Sequence, residues 1–353
     1  MLQVLELKGT PFEIGIQHGK QINELVRSFY SLCFRSVREI SKDQRLNTLH
    51  NVEEGLQVYY PEAVEEMRGV AEASDLSYEE VLLMNFTSEV RTRAAQGCTA
   101  FSAVNQATRT SDPITGKTRD MASQVYYPFQ VAMNISTLGK MQVFLAEAFS
   151  GMTVTGCGMN EHGLSLNLNI IIKITDSDDT VGVQRAFLAR KVLEECSNVE
   201  EAIKMFSKID LAYQGANFMV SDTKGSSAVI EKSHCHQAVI FPDNGILAMA
   251  NHFETKKMKR YEEFRPKTSP VRSQRMREML TENCGRINLS ASKRFLQDHK
   301  KGNEFSICRH IPDGVNTVSA YILEPRTRIV YVADGHPCWQ RYHKYTPFKN
   351  EPG

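Results

Sequence analysis

The junction Gly97-Cys98 is the part of the sequence with the clearest potential for chemistry. If this peptide bond were cut, Cys98 would carry a free α-amino group beside its own thiol. An α-amino group has a pKa of about 7.7–8.0 and a thiol about 8.5, so the amine can accept the thiol proton near neutral pH. Glycine suits the cut because it tolerates the unusual backbone angles that attack on its carbonyl requires. The alternative is a cysteine buried for packing alone.

The segment before the junction carries helix signals. Thr10-Pro11-Phe12-Glu13 combines a capping-box threonine, a proline at the first helical position and a glutamate at the third. Apolar residues then recur at helical spacing up to Phe29. Further helices are predicted to begin near Leu46, at Pro61 and after Ser77. We therefore expect the chain to be helical up to about residue 95.

After Cys98 the apolar period falls towards two, which is typical of strands separated by Gly, Pro, Asn and Asp turns. The predicted strands are Cys98–Asn105, Lys140–Ala148, Thr153–Met159, Leu164–Ile172, Asn217–Ser221, Ser227–Glu231, Gln237–Phe241, Thr317–Leu323 and Ile329–Ala333. Helices are predicted over Gln184–Cys196, from Ser197 onward and over Ser269–Leu280, and residues 254–267 are interpreted as a solvated loop. Hairpins with helices inserted between them predict an α+β fold in which helices enclose a pair of sheets.

Composition narrows the class of protein. The chain has 353 residues, 24% of them charged and 41% hydrophobic, with a formal net charge of +1. This balance gives no support for nucleic acid or a membrane surface as partner. The N-terminal sequence lacks the pattern of a signal peptide, and the eight cysteines are scattered without a CxxC pair. We expect one domain spanning residues 1–353, reduced cysteines and a cytoplasmic location.

Several segments resemble the isopenicillin N acyltransferase family of N-terminal nucleophile hydrolases. The resemblance covers nearly the whole chain, from Gly9 to Pro337, and its motifs fall in the family's order. They are Gly9–Gly15 with His18-Gly19, Gly97-Cys98-Thr99, Gly116–Asp120, Gly158–Leu164 with Asn167 and Asn169, Asn251-His252, Phe305–Arg309 and Gly335-His336-Pro337. Seven motifs in register make the resemblance specific.

The resemblance implies a four-layer αββα sandwich, translated as one precursor that cuts itself. The predicted products are a small fragment, residues 1–97, and a large fragment, residues 98–353, with cleavage between Gly97 and Cys98. The two are expected to stay associated because both contribute to one core.

The resemblance also implies roles for four residues. Cys98 would be the nucleophile in both self-cleavage and turnover. Asp120 would hold the α-amino group or the thiol, with a turn aspartate as the alternative. Asn251 would stabilise the oxyanion through its amide donor, or else cap a strand end. Arg309 would pair with Asp120 or bind a substrate carboxylate, with a structural ion pair as the alternative. A Cys98–His252 pair, as in papain-like enzymes, is the weaker reading.

The chain departs from the family pattern close to this site. Thr118-Arg119 stands where the family carries Asn-Trp, so the shape of the pocket is expected to differ. Ala100 stands where the penicillin-forming members have a second threonine, so self-cleavage is expected to be slower or differently assisted. Tyr126, Tyr127 and Phe129 follow Asp120 and are predicted to form an apolar acyl pocket, or equally a patch of core.

The functional prediction is an amidohydrolase or N-acyltransferase that works through an acyl-Cys98 thioester on a small-molecule amide. No cofactor is expected, although acyl-CoA is a possible co-substrate. No metal site is predicted, because His234-Cys235-His236 offers only two outer imidazoles. The competing hypothesis is a non-catalytic binding or scaffold protein that keeps the fold but is never cleaved.

Overall fold

The secondary structure is given by a computed structural model, which describes residues 2–91, 96–121, 124–176, 181–311 and 314–348. The helices are α1 Pro11–Val37, α2 Lys42–Tyr59, α3 Pro61–Ala73, α4 Tyr78–Arg91, α5 Arg185–Glu195, α6 Val199–Phe206, α7 Lys256–Lys259, α8 Thr268–Glu282 and α9 Leu289–Leu296. The strands are β1 Gln3–Gly9, β2 Gln96–Ala103, β3 Ile114–Met121, β4 Gln130–Thr137, β5 Val143–Phe149, β6 Cys157–Asn160, β7 Ser165–Ile171, β8 Gly215–Ser221, β9 Ser227–Lys232, β10 Gln237–Ile240, β11 Ile246–Met249, β12 Asn316–Glu324, β13 Ile329–Asp334 and β14 Tyr342–Tyr345.

The strands form two sheets. One has eight strands in the order β1-β4-β5-β6-β7-β8-β9-β10, and the other has six in the order β11-β2-β3-β12-β13-β14. β1 pairs with β4 in parallel, while the remaining neighbours are antiparallel. In the six-stranded sheet Cys98 lies opposite Arg119 and Gly97 lies opposite Asp120. The register therefore places two predicted site residues on adjacent strands.

Alternating side chains bury both faces of each sheet. In β8, for example, Phe218 packs towards the helices while Met219 packs towards the second sheet. Helices α1–α6 cover the outer face of the eight-stranded sheet, and α8 and α9 cover that of the six-stranded sheet. The order of layers is helix, sheet, sheet, helix, which confirms the predicted αββα sandwich.

Most of the predicted elements are confirmed. Thr10 and Ser77 cap α1 and α4 through capping boxes, and the predicted strands appear with shifted ends. The expectation of helix throughout the first 95 residues was wrong, because β1 occupies Gln3–Gly9 and pairs with β4. Strands β3, β4, β11 and β14 and helices α7 and α9 were not predicted. No helix within the described ranges is long and apolar enough to cross a lipid bilayer.

A buried ion cluster joins the two predicted cleavage fragments. Arg190 on α5 binds both carboxylate oxygens of Glu66 on α3, at 2.8 and 2.6 Å, and also donates to Glu194 at 2.8 Å. The side chains of Arg190 and Glu66 are each 2% exposed. Tyr60 also donates to Glu194. Because Glu66 precedes residue 97 and Arg190 follows it, this cluster would hold the two fragments together after a cut.

We expect Arg190→Met to destabilise the protein by about 3–5 kcal/mol, because it leaves Glu66 and Glu194 buried without a counter-charge. Urea denaturation followed by circular dichroism measures the loss. Lys204→Met breaks the exposed ion pair with Glu200 and is the matched control, with little expected effect. Equal stability of the two variants would contradict the assigned role of the cluster.

Candidate functional site

Cys98 lies on β2 with its main chain fixed on both sides. Its N–H donates to Asn251 Oδ1 at 2.8 Å. Its carbonyl oxygen accepts from Arg272 Nη1 and, at 3.4 Å, from Asn169 Nδ2 on the facing sheet. The residue is only 6% exposed, yet it lines a cavity of about 290 Å³. The cysteine is thus held rigidly at the wall of a cavity.

Asn251 has a different arrangement from the one predicted. Its amide nitrogen donates to the Ile170 carbonyl at 3.0 Å, and its amide oxygen accepts from Cys98 and, at 2.9 Å, from Arg272. Its own N–H donates to Ser269 Oγ at 2.7 Å. The donor expected to face an oxyanion is therefore engaged elsewhere in this structure, and Asn251 positions the nitrogen of Cys98.

Arg272 is a site residue that the sequence analysis missed. It projects from α8 and is 1% exposed. Its guanidinium contacts the Cys98 carbonyl, Thr99 Oγ1 at 2.7 Å and Asn251 Oδ1. Burial and the nearby Arg309 lower its pKa to about 10, so it remains a cation at neutral pH. The sequence offered one indication that Arg272 is buried. It lies four residues before Met276 and therefore on the same helix face as that buried methionine.

Gly97 has a steric rather than a conformational role. A Cβ at this position would lie 2.8 Å from Arg309 Nη1 and 2.8 Å from Asp120 Oδ2, closer than van der Waals contact permits. Its φ angle lies outside the left-handed region, and it pairs within the β2–β3 ladder. The uncut chain does not use unusual backbone angles at Gly97, and their use during the sulfur attack stays a prediction. A side chain at this position would have to displace the two charged groups that occupy the space.

Asp120 and Arg309 flank the junction together. Arg309 Nη1 lies 3.6 Å from Asp120 Oδ2, and both side chains are buried. Thr317 Oγ1 donates to Asp120 Oδ1 at 2.8 Å, whereas Oδ2 is buried without a hydrogen-bond partner in the described part of the chain. Arg309 is fixed by hydrogen bonds to Thr268 and Glu304. Of the two roles open for Arg309, the geometry favours pairing with Asp120.

The electrostatics keep the Cys98 thiol protonated. Burial raises its pKa above the ordinary thiol value; the Lys117 cation opposes that rise, and the Glu147 and Asp120 carboxylates add to it. Lys117 is itself paired with Glu147. Because a thiol is a weak nucleophile until it loses its proton, this site needs a base close to the sulfur.

The cavity has apolar walls with charged groups near Cys98. Phe29, Tyr126 and Phe149 contribute aromatic surface, and Arg119 and Glu147 contribute charge. Of the three predicted pocket residues only Tyr126 is among the described residues that line it. Tyr127 donates to the Asp334 carbonyl, and Phe129 packs on Phe29 with ring centroids 5.3 Å apart.

Arg119 occupies the position where the family pattern carries tryptophan. Its guanidinium lies over the Phe149 ring, 4.0 Å from the centroid, and its Nε is 3.4 Å from Glu147. Its Nη1 is buried and has no hydrogen-bond partner among the described residues. A cation with an unused donor therefore lines the cavity beside the thiol.

His252 does not pair with Cys98. Its Nδ1 lies 2.7 Å from Ser269 Oγ, and its Nε2 lies 3.8 Å from Glu254. Burial, Arg265 and the neighbouring cations lower its pKa to about 4. The papain-like reading of Cys98 and His252 therefore finds no support in this geometry.

The layered fold is an αββα sandwich that places Cys98 on strand β2 at the wall of a cavity. The chain belongs to the acyl-coenzyme A:6-aminopenicillanic acid acyl-transferase family, whose model matches residues 107–339. The matched range is about two thirds of the chain and begins after Cys98. The family assignment made from the sequence motifs is confirmed.

Individual relatives are distant. An uncharacterized protein of Archaeoglobus fulgidus is 22% identical over 97% of this chain, and the chain spans 64% of that protein's length. An N-acylethanolamine-hydrolyzing acid amidase ortholog from Caenorhabditis elegans is 16% identical, with a TM-score of 0.46 over 65% of this chain and 93% of that one. Penicillin V acylase from Agrobacterium tumefaciens is 17% identical, with a TM-score of 0.45; the match covers 67% of this chain and 83% of that one.

We expect stability to fall by up to about 2 kcal/mol between pH 7 and pH 5 through His252 alone. The unfolded histidine binds a proton below about pH 6.5, whereas the folded one resists protonation down to about pH 4, so acid favours unfolding. The groups that disfavour its charge are Arg265, Arg272, Lys259 and Arg277. Urea denaturation of His252→Gln should show a shallower pH dependence than wild type. The exposed His50→Gln serves as control, and equal slopes in all three proteins would contradict the assignment.

Proposed function

We propose that the protein is a self-processing cysteine amidohydrolase or acyltransferase whose nucleophile is Cys98. The observation that carries the proposal is the placement of this thiol at the cavity wall, with its main-chain nitrogen held by Asn251 and its preceding residue flanked by Asp120 and Arg309. In self-cleavage, the Cys98 sulfur attacks the Gly97 carbonyl carbon. The C–N bond breaks, the nitrogen becomes the α-amino group of Cys98, and water then hydrolyses the resulting thioester.

In turnover the new α-amino group serves as base. Its ordinary pKa of about 7.7–8.0 suits the transfer of a proton near neutral pH. Asn251 Oδ1 already accepts from this nitrogen in the uncut chain. The same hydrogen bond would direct the free amine, so that its lone pair faces the thiol. The amine takes the thiol proton as sulfur attacks the substrate carbonyl and returns it to the leaving amine.

The cavity suits an amide substrate that has an apolar acyl group and a hydrogen-bond acceptor near the scissile bond. Phe29, Tyr126 and Phe149 would contact the acyl chain. The unpartnered Arg119 Nη1 would bind a carboxylate on the leaving amine or a nearby carbonyl. N-acyl amino acids combine these two features. Water or a second amine completes the cycle by attacking the acyl-Cys98 thioester, and an acyl-CoA donor would reach the same intermediate.

We expect freshly purified protein to consist of two fragments that meet between residues 97 and 98. Cys98→Ala should remain one chain, because no sulfur is present to attack the Gly97 carbonyl. Intact mass spectrometry and N-terminal sequencing measure this directly. Cys33→Ala is the matched control, since Cys33 lines the same cavity and lies on α1. An uncut wild-type chain that still hydrolyses amides would refute the proposed base. A chain that is neither cut nor acylated would instead support the non-catalytic hypothesis.

We expect Arg119→Met to reduce kcat/KM for N-acyl amino acids by at least about tenfold, because a charge-assisted hydrogen bond contributes about 1.5–3 kcal/mol. The loss should be much smaller for N-acyl amines, which lack the carboxylate. Steady-state kinetics on matched pairs of such substrates test this, after confirmation that the variant is cleaved. The same loss on both substrate types would contradict carboxylate binding by Arg119.

A further inference from the structure

A cluster of two cysteines and two histidines lies outside the cavity. Cys308 and His310 precede β12, His299 follows α9, and Cys338 follows β13. One ligand atom from each residue lies within 4.8 Å of every other. The four residues come from two connecting segments, since His299, Cys308 and His310 lie between α9 and β12 and Cys338 lies between β13 and β14. Both cysteines are free thiols in this structure.

The distances agree with a tetrahedral metal site. Cys308 Sγ lies 3.7 Å from Cys338 Sγ, and His310 Nε2 lies 3.4 Å from the first sulfur and 3.1 Å from the second. Tetrahedral zinc with Zn–S near 2.3 Å and Zn–N near 2.0–2.1 Å places two sulfurs about 3.8 Å apart and sulfur from nitrogen about 3.6 Å apart. The observed separations match within about half an ångström.

The surroundings order these groups. Cys308 N–H and Ile307 N–H both donate to the Asp298 carbonyl, at 3.1 and 3.2 Å, and Arg275 fixes the Asp298 carboxylate at 2.8 Å. The His310 ring stacks on His336, with centroids 3.9 Å apart. The cluster is therefore built on supported backbone and packed rings.

The ligand chemistry selects zinc. Thiolate and imidazole together suit zinc better than magnesium or calcium, which prefer oxygen ligands. Both cysteines would bind the metal as thiolates and release their protons on binding.

We propose that Cys308, Cys338, His310 and His299 form a structural zinc site. With four protein ligands it leaves no open position for catalysis. It would tie the segment after α9 to the segment after β13. Arg309 lies between two of the ligands, and its side chain points the other way, to Asp120 and the Gly97 junction. Bound zinc would therefore fix the loop that carries Arg309, whether or not the chain cleaves itself.

Metal analysis of the full chain tests the site. After dialysis against zinc and removal of the excess, we expect one zinc per chain by inductively coupled plasma mass spectrometry. The double variant Cys308→Ala, Cys338→Ala should lose it. The control is Cys235→Ala, since Cys235 belongs to a second, three-residue cluster with Asp176 and His236. Zinc retained by the double variant but lost in the control would overturn the proposal.

Cobalt provides a readout that needs no variant. Reduced wild-type protein loaded with Co²⁺ should show thiolate-to-cobalt charge-transfer absorption and intense d–d bands of a tetrahedral complex, both removed by added zinc. Failure of the reduced protein to bind either metal would refute the site. A Cys308–Cys338 disulfide found by peptide mapping, together with no zinc uptake after reduction, would show that the pair is a redox bond instead.

Discussion

The hydrogen bonds on the main chain of Cys98 are the constraint on which the site depends. Asn251 holds its nitrogen, while Arg272 and Asn169 hold its carbonyl oxygen. These three residues come from the segment after β11, from α8 and from the facing sheet. A strand fixed in this way cannot shift without breaking contacts in three layers, and the cost of unpaired buried groups is high. The sulfur therefore has a defined position relative to the Gly97 carbonyl and the cavity.

The regularity of the elements decided how much of the fold was predictable. Capping boxes and apolar spacing marked α1, α3 and α4, and alternating apolar residues marked β7, β8 and β12. Strand β3 was missed because its sequence, ITGKTRDM, is mostly polar although nearly every residue is buried. Lys117 and Asp120 are buried in this strand against polar partners, Glu147 and Thr317. The hydrophobic pattern of a strand is lost where buried polar side chains pair with one another.

The candidate site was likewise only partly predictable from local sequence patterns. The order of the motifs predicted Cys98, Asp120 and Arg309 as site residues, and the structure places them around one junction. Arg272 and the partners of Asn251 depend on how α8 and β7 meet β2 across the sandwich, which no local pattern encodes. The only sequence signal for the cysteine–histidine cluster was the spacing Cys308-x-His310, with Cys338 further along the chain. Only the packing of the β13–β14 connection against the α9–β12 connection brings Cys338 to the other three residues.

The identity of the base follows from what surrounds the thiol. Its pKa is raised, so an acceptor must be close to the sulfur. Lys117 remains protonated: burial opposes its charge, but its ion pair with Glu147 keeps its pKa above the ordinary value. His252 is directed at Ser269. In the uncut chain Asp120 Oδ2 faces Gly97, where it is paired with Arg309 and accepts no hydrogen bond from the described residues. Under the proposed mechanism Asp120 would assist self-cleavage, and Asn251 would position the released amine for turnover. One cysteine would then use two successive bases, the second made by the action of the first.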